Sequence, residues 1–358
     1  MTKSETLFEK ALKIIPWGMQ TNAKRPIKEF SGIMPFYIEK AKGCRFWDVN
    51  HREFIDYRTA LGAVILVYCF DEVDQAVKLQ IDKGVIFSVA SPLEVELAEK
   101  IIEIVPCAEM VRFMKNGVDA NVWNVCLARS YTGKDKIIRG DYNGYNDWFM
   151  TGIKGNGVPE ILNKYVYEVN YGEIEKNEKI LTNDGDKIAC ILAIPYDFNE
   201  DTTGEFPRAL KNFANKYEVI LIFDEFLTGF KLSIGGAQEY FNVKPDLSSF
   251  AKAVVSVYLI STYCGKREIM DKLNDFVLTA TYAGETLSIT AAIATIDFMK
   301  KENIHQNLYK IGDTLMNRFK EIANRFSIPV KIGEMPVAPF FLFDFDNPKK
   351  NKKITVRS

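Results

Sequence analysis

One stretch decides the fold, Val219-Ile220-Leu221-Ile222-Phe223-Asp224-Glu225. Its first five residues form a short, uninterrupted apolar run, rich in β-branched side chains. Such a run is typical of a strand buried on both faces of a parallel sheet. Asp224 would then lie at the carboxyl end of the strand, where open α/β sheets bind their ligands.

Lys252 follows this stretch at the end of another short apolar segment, 247–251. On spacing alone, the default interpretation is a structural aspartate and a surface lysine. The other interpretation is a cofactor site at neighbouring strand ends. In pyridoxal phosphate chemistry a lysine forms the Schiff base and an acid keeps the pyridinium nitrogen protonated.

Composition restricts the class of protein. The chain has 358 residues, which suggests about two domains, and its 46 basic and 47 acidic residues argue against a dedicated nucleic-acid binder. Six cysteines are scattered without zinc or redox spacing, and the two histidines, His51 and His305, are far apart, so we expect no metal site. Without a signal-peptide block or an apolar run of membrane-spanning length, we expect a cytoplasmic protein that does not bind membranes.

The middle of the chain alternates between strand and helix patterns. This alternation predicts a mainly parallel α/β sheet with helices on both faces. Before it, a helix around 7–15 and short strands near 36–38, 44–49 and 53–57 predict an antiparallel patch, with a loop at 18–26. Strands are predicted at 110–114, 136–139, 188–194, 219–223 and 258–265, and long helices at 287–301 and 307–325.

Two turns could hold a ligand. Asn116-Gly117-Val118 joins a predicted strand to a predicted helix, so its amides could bind an anion, although a plain tight turn explains the same residues. The second turn, Asp141-Tyr142-Asn143-Gly144-Tyr145-Asn146-Asp147-Trp148, follows another strand and carries aromatic and amide side chains suited to a planar ligand. A surface loop capped by polar side chains is the default interpretation there.

Taken together, these segments resemble the class III (ornithine-transaminase-type) aminotransferases, which depend on pyridoxal phosphate. Within that family the sequence looks closest to glutamate-1-semialdehyde aminomutase-like members. The resemblance runs from about Leu7 to Lys301, and one specific piece is Phe223-Asp224-Glu225-Phe226-Leu227-Thr228-Gly229-Phe230-Lys231. The other pieces, in family order, are 91–99, 111–120, 127–137, 235–238 and 281–288.

The resemblance implies a role for each matching residue. Lys252 would form the internal aldimine and shuttle a proton, and Asp224 would pair with the ring nitrogen. The ring would stack on Tyr142. The phosphate would be bound by the turn Asn116-Gly117-Val118 and by Thr281 of the neighbouring subunit. The loop with Thr21 and Lys24 aligns with the loop that meets the substrate carboxylate.

It also implies an architecture, the fold type I of pyridoxal-phosphate-dependent transferases, with a mainly parallel seven-stranded-type central sheet and a smaller α+β domain. We expect residues 1–57 to belong to the small domain, 58–286 to form the large cofactor-binding domain, and 287–358 to be a partial C-terminal small domain. The early end of the chain suggests a fragment or a truncated small domain. The implied partners are small-molecule amino donors and acceptors and a second copy, in a homodimer with shared active sites.

The chain differs from the family pattern at several positions. Trp17, His51, Val67 and Ala251 stand where glycine is usual, and Val118 lacks the hydroxyl that would bind the phosphate. The Tyr-His-Gly pattern reads Tyr142-Asn143-Gly144, and residues 256–259 after the lysine also differ. An alternative is therefore a degenerate, catalytically weak member that acts as a dimer partner. A dinucleotide-binding dehydrogenase is poorly supported, because no Gly-x-Gly-x-x-Gly follows an early strand.

Overall fold

The computed structural model describes residues 2–27, 33–140, 142–153, 155–198, 203–256 and 258–343. Helix α1 (Lys3–Ile14) comes first; a capping box between Thr2 and Glu5 fixes its start. Three antiparallel strands follow, β1 (Ile38–Lys42), β2 (Arg45–Asp48) and β3 (Glu53–Ile55). The predicted N-terminal antiparallel patch is therefore confirmed. A short turn, α2 (Thr59–Gly62), leads to the central sheet.

The central sheet has seven strands in the described part of the chain. Its order is β4-β10-β9-β8-β7-β5-β6, with β5 to β9 all parallel and β10 antiparallel to both of its neighbours. The strands are β4 (Met110–Met114), β5 (Lys136–Arg139), β6 (Val166–Glu168), β7 (Ile188–Ala193), β8 (Ile220–Asp224), β9 (Leu247–Phe250) and β10 (Ser261–Gly265). The prediction of a mainly parallel sheet is confirmed.

Helices cover both faces of this sheet. They are α3 (Asp71–Ile81), α4 (Pro92–Ile104), α5 (Gly117–Thr132), α6 (Ile174–Asp184), α7 (Glu205–Tyr217), α8 (Ala237–Tyr240) and α9 (Arg267–Met270). Side chains alternate along each strand, so Ile220 and Ile222 of β8 pack in the core beside α5, whereas Leu221 and Phe223 pack in the core beside α6 and α7. This alternation turns Asp224 toward α5.

The C-terminal part adds two long helices, α10 (Thr286–Lys301) and α11 (Ile304–Arg325), and a hairpin of β11 (Val330–Ile332) and β12 (Phe341–Phe343). Ile289 and Ile296 of α10 pack against Leu97 and Ile101 of α4, which joins this segment to one face of the sheet.

Some predicted boundaries were wrong. The strand predicted at 258–265 begins only at Ser261, because the segment after Lys252 forms a 3₁₀ turn and Ser256 takes a left-handed conformation. The loop predicted at 18–26 contains a 3₁₀ turn, Asn22–Lys24. The first strand of the antiparallel patch starts at Ile38, later than the prediction of 36–38. Among the described residues, no helix is long and apolar enough to cross a membrane.

Candidate active site

Asp224 is the centre of the site. It ends β8, its side chain is almost fully buried, and three N–H groups donate to its carboxylate. Oδ2 accepts from Nδ2 of Asn121 at 2.8 Å and from Nδ2 of Asn143 at 2.9 Å, and Oδ1 accepts from the amide of Phe226 at 3.2 Å. Burial raises the pKa of Asp224, while these donors and the nearby Lys252 oppose that rise. The result is a buried, firmly oriented acid.

A second layer of polar groups orients these donors. The side chain of Asn121, on α5, also donates to the carbonyl of Asn143 at 3.0 Å, and it accepts from Oγ of Ser249 at 2.5 Å. Ser249 lies beside Asp224 in the neighbouring strand β9. Three segments therefore meet at Asp224, and the orientation of its carboxylate is set by tertiary structure.

Lys252 lies beyond the end of β9, close enough to Asp224 for their charges to interact. Burial lowers the pKa of Lys252, and the carboxylate of Asp224 partly opposes this. Lys252 has a left-handed backbone, with φ of 55°, an uncommon state for a lysine. Within the described ranges, its ammonium has no hydrogen-bond or ion-pair partner. A partly buried lysine of this kind is available for covalent chemistry.

The turn before α5 presents free amides. Gly117 and Val118 are the first residues of the helix, so their N–H groups have no acceptor inside it. The amide of Asn116 donates instead to Oδ2 of Asp119 at 3.0 Å, and the carbonyl of Asn116 accepts from Oγ of Ser261 at 2.6 Å. The helix start is thus held in place, with two amides and the positive end of the helix dipole open to an anion.

The loop with Tyr142 lies directly on this turn. Gly144 has φ of +130°, and a Cβ there would come within 2.4 Å of Cγ2 of Val118. Asn143 is fully buried, and its Oδ1 has no partner among the described residues. The neighbouring Tyr142 is 67% exposed. Asp141, which begins the predicted turn, lies outside the described residues.

Thr281 is exposed in the loop before α10. Four residues further on, Glu285 caps α10 and binds Nζ of Lys115 at 2.8 Å. Lys115 directly precedes Asn116, so this ion pair ties the Thr281 loop to the turn at the start of α5. Within the described ranges, no hydrogen bond or ion pair joins Thr281 to Lys252.

Thr21 and Lys24 are exposed, and they lie at and within the 3₁₀ turn Asn22–Lys24. The carbonyl of Ala23 in this turn accepts from Nη2 of Arg58 at 2.9 Å. Arg58 immediately precedes α2, so the predicted substrate loop is held against that turn. No contact links Thr21 or Lys24 directly to Lys252 within the described chain.

The residues that replace family glycines fall into two groups. Trp17 and His51 have left-handed backbones, with φ of 65° and 64°, so glycine would be favoured at both positions. Ala251 is extended, with φ of −156°, and Val67 has no positive φ either. Only the first two replacements therefore carry backbone strain, and both lie in the N-terminal segment.

These residues fit pyridoxal phosphate. The group needs an acid for its ring nitrogen, a lysine for its aldehyde and an anion site for its phosphate. Asp224, Lys252 and the start of α5 meet these needs. Among the described residues, Oδ1 of Asn143 and the ammonium of Lys252 have no partner, so both are available to a ligand.

Sequence reasoning missed three residues of the site. Asn121 and Ser249 were not singled out as site residues, and Asn143 was noted only as a difference from the family. One signal was present for Asn121, because it lies four residues after Gly117 and so on the same face of α5. The contact of Ser249 with α5 depends on strand order and had no sequence signal.

Comparison with known proteins agrees with this geometry. Residues 28–195 and 198–357 match the family described as Aminotransferase class-III. The chain is 35% identical to 3-aminobutyryl-CoA aminotransferase of Cloacimonas acidaminovorans, over 99% of this chain and 86% of that protein. It is 34% identical to glutamate-1-semialdehyde 2,1-aminomutase of a Sulfurihydrogenibium species, over 95% and 83% of the two chains.

Solved structures share the fold of this chain. The FumI protein of Sphingopyxis sp. MTA144, in its PLP internal aldimine form, superposes with a TM-score of 0.89 and 25% identity, over 97% of this chain and 84% of that one. An omega-transaminase from Sphaerobacter thermophilus gives a TM-score of 0.86 at 22% identity, over 97% and 84% of the two chains. The predicted fold class is confirmed, and the chain belongs to the class-III aminotransferase family.

Proposed function

We propose that this protein is a pyridoxal-phosphate-dependent aminotransferase or aminomutase. Its substrate would be a small amino acid, amino-aldehyde or sugar-like molecule. One observation carries the proposal: a buried carboxylate with three donors, Asp224, lies near a partly buried lysine, Lys252, which has no partner among the described residues. Family membership and the PLP-bound form of FumI support the choice of cofactor.

Each predicted residue would then have a role around the cofactor. Asp224 would hold the ring nitrogen, Tyr142 would cover the ring, and the amides of Gly117 and Val118 would bind the phosphate. Asn116 would border the phosphate, since its own amide is bonded to Asp119. When bound, the cofactor supplies an electron sink that stabilises negative charge at the substrate carbon.

The residues of the chain do the remaining work. Lys252 would take up and release the proton, because its lowered pKa keeps a larger share of the amine neutral. Asn121 and Asn143 would favour the ionised form of Asp224 and hold its carboxylate in one orientation, because both donate to it. Thr21 and Lys24 would meet the substrate carboxylate.

We propose a homodimer in which Thr281 of one subunit completes the phosphate site of the other. Exposed apolar side chains on both sides of this loop, Val277 and Tyr282, support a buried interface there. Val89 and Val95, around the start of α4, are also exposed, and Glu94 of that helix lies against Gly284. A surface of this kind is more typical of a protein interface than of a solvated face.

The remaining proposals concern organisation and location. We propose that residues 58–286 act as the cofactor-binding domain, and that 1–57 and 287–358 form the smaller one. We propose a cytoplasmic location, with small molecules and a second copy of the chain as the partners.

The degenerate alternative has one observation in its favour, since Val118 offers no hydroxyl to a phosphate. Against it, Ala251 beside the lysine is extended and needs no glycine.

A cofactor titration tests the proposal. Added pyridoxal phosphate should give an absorbance band near the visible–ultraviolet border, and Lys252→Ala should abolish it. A screen of amino donors should then bleach the band. A protein that binds no cofactor would contradict the proposal, and a band that no donor bleaches would favour the degenerate alternative.

A further inference from the structure

A second lysine lies beside Lys252. Lys231 ends the turn that follows β8, and its charge lies close enough to Lys252 to lower the pKa of Lys231. Burial has the larger effect, and together they bring that pKa to about 8. No hydrogen-bond or ion-pair partner of the Lys231 ammonium exists within the described ranges. Loss of hydration around a charge without a partner is unfavourable, so this partly buried ammonium favours the binding of an anion.

The contact of Lys231 with Gly62 shows where its side chain lies. Phe230 has a left-handed conformation, with φ of 62°, and its buried ring packs against Phe250 with ring centroids 5.8 Å apart. Lys231 therefore projects toward Gly62, where a Cβ would lie only 2.8 Å from Nζ. The absence of a side chain at position 62 leaves room for the ammonium.

The segment that meets Lys231 is unusual. Thr59, Ala60, Leu61 and Gly62 are all left-handed, with φ between 46° and 84°. The amide of Leu66 donates to Oγ of Ser256 at 3.2 Å, which ties this segment to the turn after Lys252. Arg58 ties its other end to the loop of Lys24. Lys231 therefore contacts a segment that is tied on one side to the turn after Lys252 and on the other to the proposed substrate loop.

The carboxylates near Lys231 have other partners. Asp224 is the carboxylate that interacts with Lys252, and it has the cofactor nitrogen as its partner in the proposed function. Asp56, the acid nearest to the strained segment, accepts from the amides of Arg58 and Ala60 and from the hydroxyl of Tyr68. An anion that enters the site would therefore meet Lys231, whose ammonium has no partner in the described part of the chain.

We propose that Lys231 binds a carboxylate of the substrate and makes the site selective for anionic amino donors and acceptors. This inference rests on the proposed function and adds a specificity-determining residue to it. Lys231 would hold the carboxylate while the amino group is presented to Lys252. Lys24 and Arg58 would add positive charge at the mouth of the site.

The test uses full-length protein with pyridoxal phosphate added and compares Lys231→Met and Lys231→Arg with wild type. Lys216→Met, an exposed lysine on α7, is the matched control. Glutarate is titrated by calorimetry, independently of activity. We expect Lys231→Met to weaken glutarate binding by on the order of 10- to 100-fold, the loss of one charge-assisted hydrogen bond. Lys231→Arg should keep most of the binding, and Lys216→Met all of it.

Kinetics with two amino donors distinguish a role of Lys231 in binding the substrate carboxylate from a role in binding the cofactor. In Lys231→Met, kcat/KM for 4-aminobutanoate should fall by a similar factor, whereas kcat/KM for n-butylamine, which has no carboxylate, should stay unchanged. The ratio of the two values should therefore fall by that factor. Equal glutarate binding in wild type and Lys231→Met, or none in wild type, would overturn the inference. So would an equal loss for both donors, which would assign Lys231 to the cofactor. A missing cofactor band in wild type contradicts the proposed function instead, and the glutarate titration still decides the role of Lys231.

Discussion

Asn143 donates a hydrogen bond of 2.9 Å from its Nδ2 to Oδ2 of Asp224, and Asn121 donates to the same oxygen. The two amides come from different parts of the chain, one on a loop and one on α5. Asn121 also donates to the carbonyl of Asn143, which closes a small polar network. This network keeps a buried carboxylate in place where apolar core residues surround it.

Substitution of Asn143 should remove one of the hydrogen bonds that orient the carboxylate of Asp224. We expect Asn143→Ala to raise the pKa of Asp224 further, since one donor to the charged form is lost. Cofactor affinity should fall by about 10- to 100-fold, the value of a hydrogen bond to a charged group, and more at pH 6 than at pH 8. Cofactor titration by absorbance at several pH values measures this. Asn163→Ala is the control and should bind cofactor normally; the side chain of Asn163 accepts from the amide of Gly152, outside the site.

A side chain at position 117 should displace the start of α5. A Cβ on Gly117 would come within 2.8 Å of the ring of Phe226, too close for any real contact. We expect Gly117→Ala to destabilise the protein by roughly 1–3 kcal/mol and to weaken cofactor binding. Urea unfolding and cofactor titration report the two effects. The double variant Gly117→Ala/Phe226→Leu makes room and should recover much of the loss; no recovery would show that the contact with Phe226 is not the cause.

Stability should rise with pH because of Lys231. Its pKa is about 8 in the folded protein and 10.5 ordinarily, so between these values the unfolded chain binds more protons than the folded one. Its unfavourable contribution is complete below about pH 8 and fades as pH rises toward 10.5. The slope approaches about 1.4 kcal/mol per pH unit, and the lowered pKa of Lys252 adds a change of the same sign.

Urea unfolding of the cofactor-free protein at pH 7, 8, 9 and 10 measures this slope. Lys231→Met should be more stable than wild type at pH 7 and should show a smaller rise. Lys216→Met, which alters an exposed lysine, should follow wild type. An unchanged slope in Lys231→Met would mean that Lys231 does not titrate in this range.

The left-handed backbone of His51 should decide how substitutions there change the stability of the protein. It has φ of 64° and an exposed side chain, whose ring nitrogen lies 3.4 Å from a carboxylate oxygen of Glu39. Glycine removes about 1–2 kcal/mol of left-handed strain and costs about 0.5–1 kcal/mol in entropy. We expect His51→Gly to leave stability unchanged or raise it slightly, and His51→Ala to lower it. Thermal melts compare the two; greater stability of the alanine variant would contradict this.

Much of the fold could be predicted from local pattern. The apolar run before Asp224 predicted β8, and the Asn116-Gly117-Val118 turn predicted the start of α5, because both depend on neighbouring residues. The break after Lys252 could not be predicted. The apolar pattern at 258–260 favours a strand, but tertiary contacts hold Ser256 in a left-handed conformation, and β10 starts later.

The sequence by itself determined the strand that ends in Asp224, the lysine that follows it and the family to which the chain belongs. These follow from hydrophobic periodicity and motif order, which are local properties. Only the tertiary structure decided which groups orient Asp224, which glycine replacements are strained, and that Lys231 lies against Gly62. Those relationships join residues far apart in the chain, and their energies depend on burial and distance, which no local pattern encodes.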